Sequence, residues 1–82
     1  MTIIKVTQKH INAGGNSGNN CPINLAICEQ LGLNNNKVYV GYIQITIMPQ
    51  NKIIPISGVV RRKIKYHDKG WNIKPFEFEL DY

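Results

Sequence analysis

The sequence predicts a small α+β domain in which helices pack on one antiparallel or mixed sheet. Three observations indicate this class. Residues 22–31 carry apolar side chains at helical spacing, residues 76–82 alternate between apolar and acidic side chains, and the 82-residue chain has 43% hydrophobic residues. That length and composition suit one compact domain spanning residues 1–82. The predicted element order is β-α-β-β-α-β.

The most clearly bounded element is a helix that begins at Pro22, with Cys21 as its N-cap. Proline suits a first helical position because its φ is preset and its missing N–H would have no helical partner there. Gly32 follows as a residue able to adopt a left-handed conformation and end the helix. The apolar stripe of this helix is formed by Ile23, Ala26, Ile27 and Leu31.

Four segments are predicted as strands because they alternate or are rich in β-branched residues. They are Thr2 to Thr7, Val38 to Met48, Lys52 to Ile56 and Pro75 to Tyr82. Gly41 interrupts the second strand and indicates a bulge or a bend. Pro55 implies that the third strand lies at a sheet edge. Thr7 is also placed to cap a short helical turn that ends at Gly14.

Residues 57–69 admit two interpretations. As a helix, the segment has Ser57 as its N-cap and Gly70 after its last turn, and Val60 and Ile64 share one side. As a strand, it places Val60, Arg62, Ile64 and Tyr66 on one face and is followed by a possible turn at residues 67–70. The two helix boundary signals favour the helix.

The segment Gly14 to Asn20 contains three Gly, three Asn and one Ser, a composition typical of a loop. Because it leads into a helix N-terminus, it can present backbone N–H groups and the positive end of the helix dipole to a phosphate or carboxylate. Lys9 and His10 precede it directly. The alternatives are that the loop is only a solvated connector and that His10 is only a surface residue.

Cys21 and Cys28 are the two cysteines. Seven residues apart on one helix, they lie roughly 10 Å apart, too far for a disulfide. A helix N-terminus can acidify a thiol, so Cys21 is a candidate nucleophile, although a packed N-cap is the simpler interpretation. The two cysteines with His10 and His67 fit no zinc spacing, and the five acids form no evident acid/base pair. The sequence predicts no metal, no cofactor and no enzyme activity.

The net charge of +5 favours an anionic partner. The basic run at residues 61–65 is the kind that contacts phosphates, although such runs are often only solvated. No apolar stretch is long enough to cross a membrane, and no signal peptide is evident. We expect a cytoplasmic protein, and its short length makes a homo-oligomer reasonable. The candidate ligand-binding residues are Lys9, His10, Gly14, Gly15, Asn16, Ser17, Cys21, Arg61, Arg62 and Lys65.

Several short motifs resemble a family of small, uncharacterised bacteriophage proteins. The matching stretches are VTQKHINAG, CPINLAI, the P-x-S-x-x-V at residues 55–60, YHDKG and PFEFEL. The family pattern contains T-x-x-H-I-x-x-G, C-P-x-A-x-A and a C-terminal P-F-x-F. Asn24 departs from it, since a small apolar residue is usual there, and the central strands are unmatched. The resemblance implies a phage origin or a prophage relic, it favours a helix at residues 57–69, and it carries no established activity.

Three functions follow as expectations. The first is a non-catalytic phage anti-defence protein that sequesters a phosphate-bearing, nucleotide-derived immune signal at the loop and helix N-terminus, with Tyr66 and Trp71 available for stacking. The second is a small basic nucleic-acid-binding protein. The third is a protein–protein inhibitor of a host defence enzyme. The expected partner is an anionic, nucleotide-like small molecule, with nucleic acid or a host protein as the alternatives.

Overall fold

The computed structural model describes residues 2–15, 20–48 and 50–82. It forms an α+β domain, which confirms the predicted class. Three α-helices, a short 3₁₀ helix and five strands make up the described part of the chain. Their bounds are β1 Thr2–Val6, α1 Gln8–Ala13, α2 Pro22–Leu31, a 3₁₀ helix Asn35–Lys37, β2 Val38–Val40, β3 Gln44–Ile47, β4 Lys52–Pro55, α3 Gly58–Asp68 and β5 Phe76–Leu80.

The strands form two antiparallel sheets instead of the single predicted sheet. The first and last strands, β1 and β5, pair with Ile4 opposite Phe78. The other sheet has the order β2-β3-β4, so β4 with its Pro55 lies at an edge as predicted. The two sheets share no strand. They are joined through the core by α2, which packs against both β1 and β2.

The prediction of one strand from Val38 to Met48 is wrong, because the chain reverses between β2 and β3 as a hairpin. The Gly41 N–H donates to the Gln44 carbonyl at 2.9 Å, and a Cβ at Gly41 would lie only 3.3 Å from that oxygen. Across the hairpin Val38 lies opposite Ile47. Buried side chains therefore fall at even positions in β2, such as Val38, and at odd positions in β3, such as Ile47, because the two paired strands bury one shared face.

The helix boundaries agree with the sequence signals. The Cys21 sulfur accepts the Asn24 N–H at 3.4 Å, and Gly32 adopts a left-handed φ of 69° at the end of α2. Ser57 caps α3 through the Val60 N–H, and Gly70 turns the chain with φ 77°. The helical interpretation of residues 57–69 is confirmed. In the part of the chain that the structure describes, no helix is long and apolar enough to span a membrane.

The core lies between α2, the inner faces of both sheets and one side of α3. Its residues are almost all aliphatic, which suits burial without hydrogen bonding. The side chains that are least exposed and largest are Ile4, Val6, Ile27, Val38, Ile45, Ile47 and Leu80, together with the polar Asn24. The helix α3 contributes Val60 and Ile64, and its opposite side faces solvent.

Candidate functional site

The N-terminus of α2, predicted as an anion seat, is capped by Cys21. Cys21 is 5% exposed, and its sulfur accepts one of the amides that a ligand would need. The Gly14 N–H donates to the His10 carbonyl at 2.9 Å and the Gly15 N–H to the Asn20 carbonyl at 2.8 Å. These amides therefore have partners within the chain. The predicted site residues Asn16 and Ser17 lie outside the described residues.

Gly14 is required by close packing. A Cβ at Gly14 would lie 2.5 Å from the Pro22 ring and 2.6 Å from the Pro22 nitrogen, so a larger residue there would force the backbone to move. A Cβ at Gly15 would lie 2.8 Å from the Asn20 side chain, which is exposed and can turn away. The need for glycine at position 14 comes from the approach of the α1 end to the start of α2.

His10 is a structural residue and not a surface cation. It is 5% exposed, its Nδ1 accepts the Thr7 N–H at 3.0 Å and its Nε2 lies 2.8 Å from a Glu29 carboxylate oxygen. Since a backbone N–H can only donate, Nδ1 is the acceptor and Nε2 carries the proton. The imidazole thereby closes a capping box on α1 and ties it to α2. No nitrogen of the ring is left for a ligand.

The hydrogen bond between His10 and Glu29 also changes the pKa of the Glu29 carboxyl. The hydrogen bond from His10 holds the pKa of the Glu29 carboxyl below its ordinary value, and the charge of Lys9 acts in the same direction. Lys9 is exposed and exerts its charge on Glu29. The structure therefore places Lys9 and His10 at the contact between α1 and α2.

Neither cysteine has the environment of a nucleophile. Burial raises the pKa of the Cys21 thiol, and this outweighs the opposing effect of the Asn24 and Ile23 amides. Burial likewise raises the pKa of the Cys28 thiol, whose sulfur lies 3.6 Å from Asn24 Oδ1 as a hydrogen-bond donor. Desolvation outweighs the helix terminus at Cys21, so its environment agrees with the packed N-cap, the simpler of the two interpretations.

Asn24 has a structural role for which the sequence carries no signal. Its side chain is fully buried, and its Nδ2 donates to the Val38 carbonyl at 2.7 Å. This bond joins α2 to the first residue of β2.

The remaining predicted residues, Arg61, Arg62 and Lys65, lie together on the solvent side of α3, and Lys69 extends the row. At about 100° per residue, these four positions fall within about 100° of arc around the helix axis. All four side chains are exposed. We call these four residues the basic face. Lys63 lies on another side, with its Nζ 5.5 Å from the centre of the Phe76 ring.

The basic face has no acidic partner among the described residues. Among the described residues, the contact of ion-pair distance joins His10 of α1 to Glu29 of α2 and involves no residue of the basic face. Asp68, the acid in α3, accepts a hydrogen bond from the Tyr42 hydroxyl at 2.7 Å. Glu77 and Glu79 lie on exposed positions of β5. No Lys or Arg of the basic face forms an ion pair within the described chain, so α3 and Lys69 keep a net positive charge that attracts anions from solvent.

An aromatic pair lies at the C-terminal end of the basic face. Gly70 turns the chain so that the Trp71 N–H donates to the Tyr66 carbonyl at 3.0 Å, and the two rings are 5.2 Å apart. The Lys69 Nζ lies 5.0 Å from the centre of the Trp71 ring. Trp71 remains 56% exposed. This places a cation and a large aromatic surface side by side at the end of α3.

Beside this pair, a cleft of about 510 Å³ opens between α1 and the end of α3. The sequence does not predict this cleft, because its two walls are far apart in the chain and neither carries a motif. The cleft is lined by Gln8, Ile11, Asn12, His67, Gly70, Trp71, Asn72 and Ile73. Within the described ranges, no group of three or more His, Cys, Asp or Glu side chains is placed to hold a metal ion.

No protein-family model, curated protein or solved structure matches this chain. The resemblance to phage proteins therefore stays a prediction, and the functional argument depends on the geometry of the described residues.

Proposed function

We infer that the chain is a non-catalytic protein that binds single-stranded nucleic acid through the basic face of α3. The observation that carries this proposal is the row of four exposed cations on one side of α3 with no acidic partner among the described residues. Lysine and arginine in such rows bind phosphates and release counterions, which supplies the affinity.

The length of the row favours a polymer over a small nucleotide. Arg61 and Lys69 are eight residues apart, which corresponds to about 12 Å along a helix. A row of this length suits successive phosphates of a chain better than a single phosphate group. Sequestration of a nucleotide-derived signal at the α2 N-terminus has less support, because Cys21 takes up an amide there.

Trp71 favours a single strand over a duplex. Proteins that bind single strands without sequence preference combine a basic surface with exposed aromatic rings, on which unpaired bases stack. The exposed Trp71 ring, adjacent to Lys69, provides that combination. In a duplex the base faces are stacked on each other and unavailable to the ring.

The test is fluorescence anisotropy of a labelled single-stranded oligonucleotide at low salt. We expect binding by the wild-type protein, and loss of most of that binding when Arg61, Arg62 and Lys65 are all replaced by glutamine. Lys37→Gln is the matched control, because it removes an exposed cation outside α3. Absence of binding at low salt, or equal loss in the control variant, would overturn the proposal.

One observation favours a protein inhibitor as a second candidate. The outer face of the three-stranded sheet carries Tyr39 and Ile53 in one cross-strand row, 56% and 53% exposed, and Ile43 in the β2–β3 turn is 66% exposed. Grouped exposed apolar residues are typical of protein contacts. The measurement is a pull-down from host lysate. If this function is right, a host protein binds the wild-type chain and the basic-face variant but not the Ile53→Lys variant. Equal retention by Ile53→Lys would reject it.

A further inference from the structure

We propose that the cleft between α1 and the end of α3 is a pocket for one nucleobase. This inference rests on the proposed function and deepens it, since it assigns a position to one base of the bound strand. The volume of about 510 Å³ falls within the ~300–1,000 Å³ that is usual for small-molecule sites.

The lining of the cleft is uncharged apart from the titratable His67. No Asp, Glu, Lys or Arg is among the residues that line it. A phosphate is better held by charged groups or by backbone N–H groups, whereas a base is an uncharged planar ring with polar atoms along its edge. The cleft therefore suits the base, and the basic face outside it suits the phosphates.

The side chains in the cleft match both parts of a base. The Trp71 ring offers a flat surface, and Ile11 and Ile73 contribute apolar contacts. Gln8 Nε2 donates to Asn12 Oδ1 at 2.8 Å, which fixes the two amides relative to each other on one side of α1. That bond leaves the Gln8 carbonyl as an acceptor and the Asn12 NH₂ as a donor, the combination that reads a base edge.

His67 adds a polar side chain to the lining of the cleft. Its Nδ1 is buried and has no hydrogen-bond partner among the described residues. Buried polar nitrogens almost always have a partner, so this nitrogen can pair with a base in the cleft only if the ring turns towards it.

The position of the cleft connects it to the basic face. Lys69, the last residue of that face, lies over the ring of Trp71, which lines the cleft. A strand whose phosphates follow α3 towards its C-terminus therefore arrives at the mouth of the cleft. There one base can leave the strand, stack on Trp71 and present its edge to Gln8 and Asn12.

The test uses nucleosides, because they carry a base and no phosphate. Trp71 is the single tryptophan of the chain, so its fluorescence reports the cleft directly. We expect saturable quenching by at least one of adenosine, guanosine, cytidine and uridine, with an affinity that salt does not change. N-acetyltryptophanamide, titrated in parallel, corrects for collisional quenching and absorbance.

Two variants test the amide contacts. Asn12→Ala and Asn72→Ala should each weaken nucleoside binding by roughly five- to tenfold, the effect of one lost hydrogen bond. Gln50→Ala, an exposed amide outside the cleft, is the matched control. Asn72 lies outside the helices, so this variant keeps the test decisive if Asn12→Ala does not fold.

The outcomes separate the pocket from the proposed function. If oligonucleotides bind with salt dependence, but nucleosides do not quench and an abasic oligonucleotide binds as tightly as a normal one, the pocket is rejected and nucleic-acid binding stands. If nucleosides quench the Trp71 fluorescence but oligonucleotide affinity does not depend on the basic face, the pocket stands. Binding of a single strand through the basic face is then rejected. Equal nucleoside affinity in both cleft variants and the wild type also rejects the pocket.

Discussion

Replacement of His10 by alanine should destabilise the fold and leave the basic face unchanged. The imidazole is 5% exposed and makes two contacts, with the Thr7 N–H at 3.0 Å and with Glu29 at 2.8 Å. Alanine removes both contacts and leaves a space between α1 and α2. His10 thus serves as a test of whether a residue from the predicted ligand site has a structural role instead.

The magnitude follows from the contacts that are lost. Loss of a capping interaction costs about 1 kcal/mol. Removal of the packed ring and of a partner for a partly buried N–H adds roughly 1–3 kcal/mol. The expected destabilisation is therefore about 2–4 kcal/mol, which in a domain of this size lowers the midpoint of thermal unfolding on the order of 10–25 °C. No part of this figure is assigned to the exposed Glu29.

The assay is urea unfolding followed by far-ultraviolet circular dichroism, with Lys9→Ala as the control. Lys9 is the exposed neighbour on α1, and its replacement should change the free energy of unfolding by less than about 0.5 kcal/mol. At a temperature where both variants are folded, oligonucleotide binding should match the wild type. A His10→Ala variant as stable as Lys9→Ala would refute this account of His10.

The pH dependence of the same variant is a further check. Because the hydrogen bond from His10 lowers the pKa of Glu29 in the folded state, this contact stabilises the fold above the ordinary Glu value of 4.5. The contribution is lost as the pH falls through the lowered pKa. The part of the stability difference between wild type and His10→Ala that comes from Glu29 should therefore disappear in that acidic range. A difference that grows below pH 4.5 would contradict the assignment.

Three further predictions concern Asn24, Gly14 and Cys21, which lie around the start of α2, and Gly58 of α3 serves as the contrast to Gly14. Asn24→Ala should lower the free energy of unfolding by about 2–4 kcal/mol, measured in urea, because it leaves buried partners unpaired. Gly14→Ala should destabilise by roughly 1–3 kcal/mol through its clash with Pro22, whereas Gly58→Ala, which meets open space, should stabilise by about 0.5–1 kcal/mol. Iodoacetamide at pH 8 should leave Cys21 unmodified by mass spectrometry until urea is added.

The helices could be predicted because their signals are local. Pro22 and Gly32 bound α2, and Ser57 and Gly70 bound α3, each within a turn of the helix that it limits. Such boundary residues act through their own φ and their own side chains, so they work the same way in any fold.

The β2–β3 hairpin could not be predicted in the same way, although its signal was present. Apolar residues that face the core change from even positions, such as Val38, to odd positions, such as Ile47, across Gly41. Apolar residues at both even and odd positions have two explanations. They can belong to one strand that is buried on both faces, or to two paired strands that share one buried face. Only the pairing of the two segments distinguishes them.

The candidate site was predicted in part. The basic run on α3 was found from the sequence, since charge and helical spacing can be read locally. The cleft could not be found, because it forms where Gln8 and Trp71 meet, 63 positions apart in the chain. The role of His10 likewise depends on Glu29, which α2 brings beside it. Contacts between distant segments have no signal in either segment alone.

The measurement that tests the central claim most directly is the salt dependence of oligonucleotide binding. For single strands the logarithm of the affinity falls with the logarithm of the salt concentration by ~0.7 per phosphate neutralised, so three or four contacts predict a slope of about −2 to −3. Replacing Arg62 by glutamine should make the slope less steep by about 0.7, and Lys37→Gln should not change it. A slope near zero, or one that Arg62→Gln leaves unchanged, would contradict binding through α3.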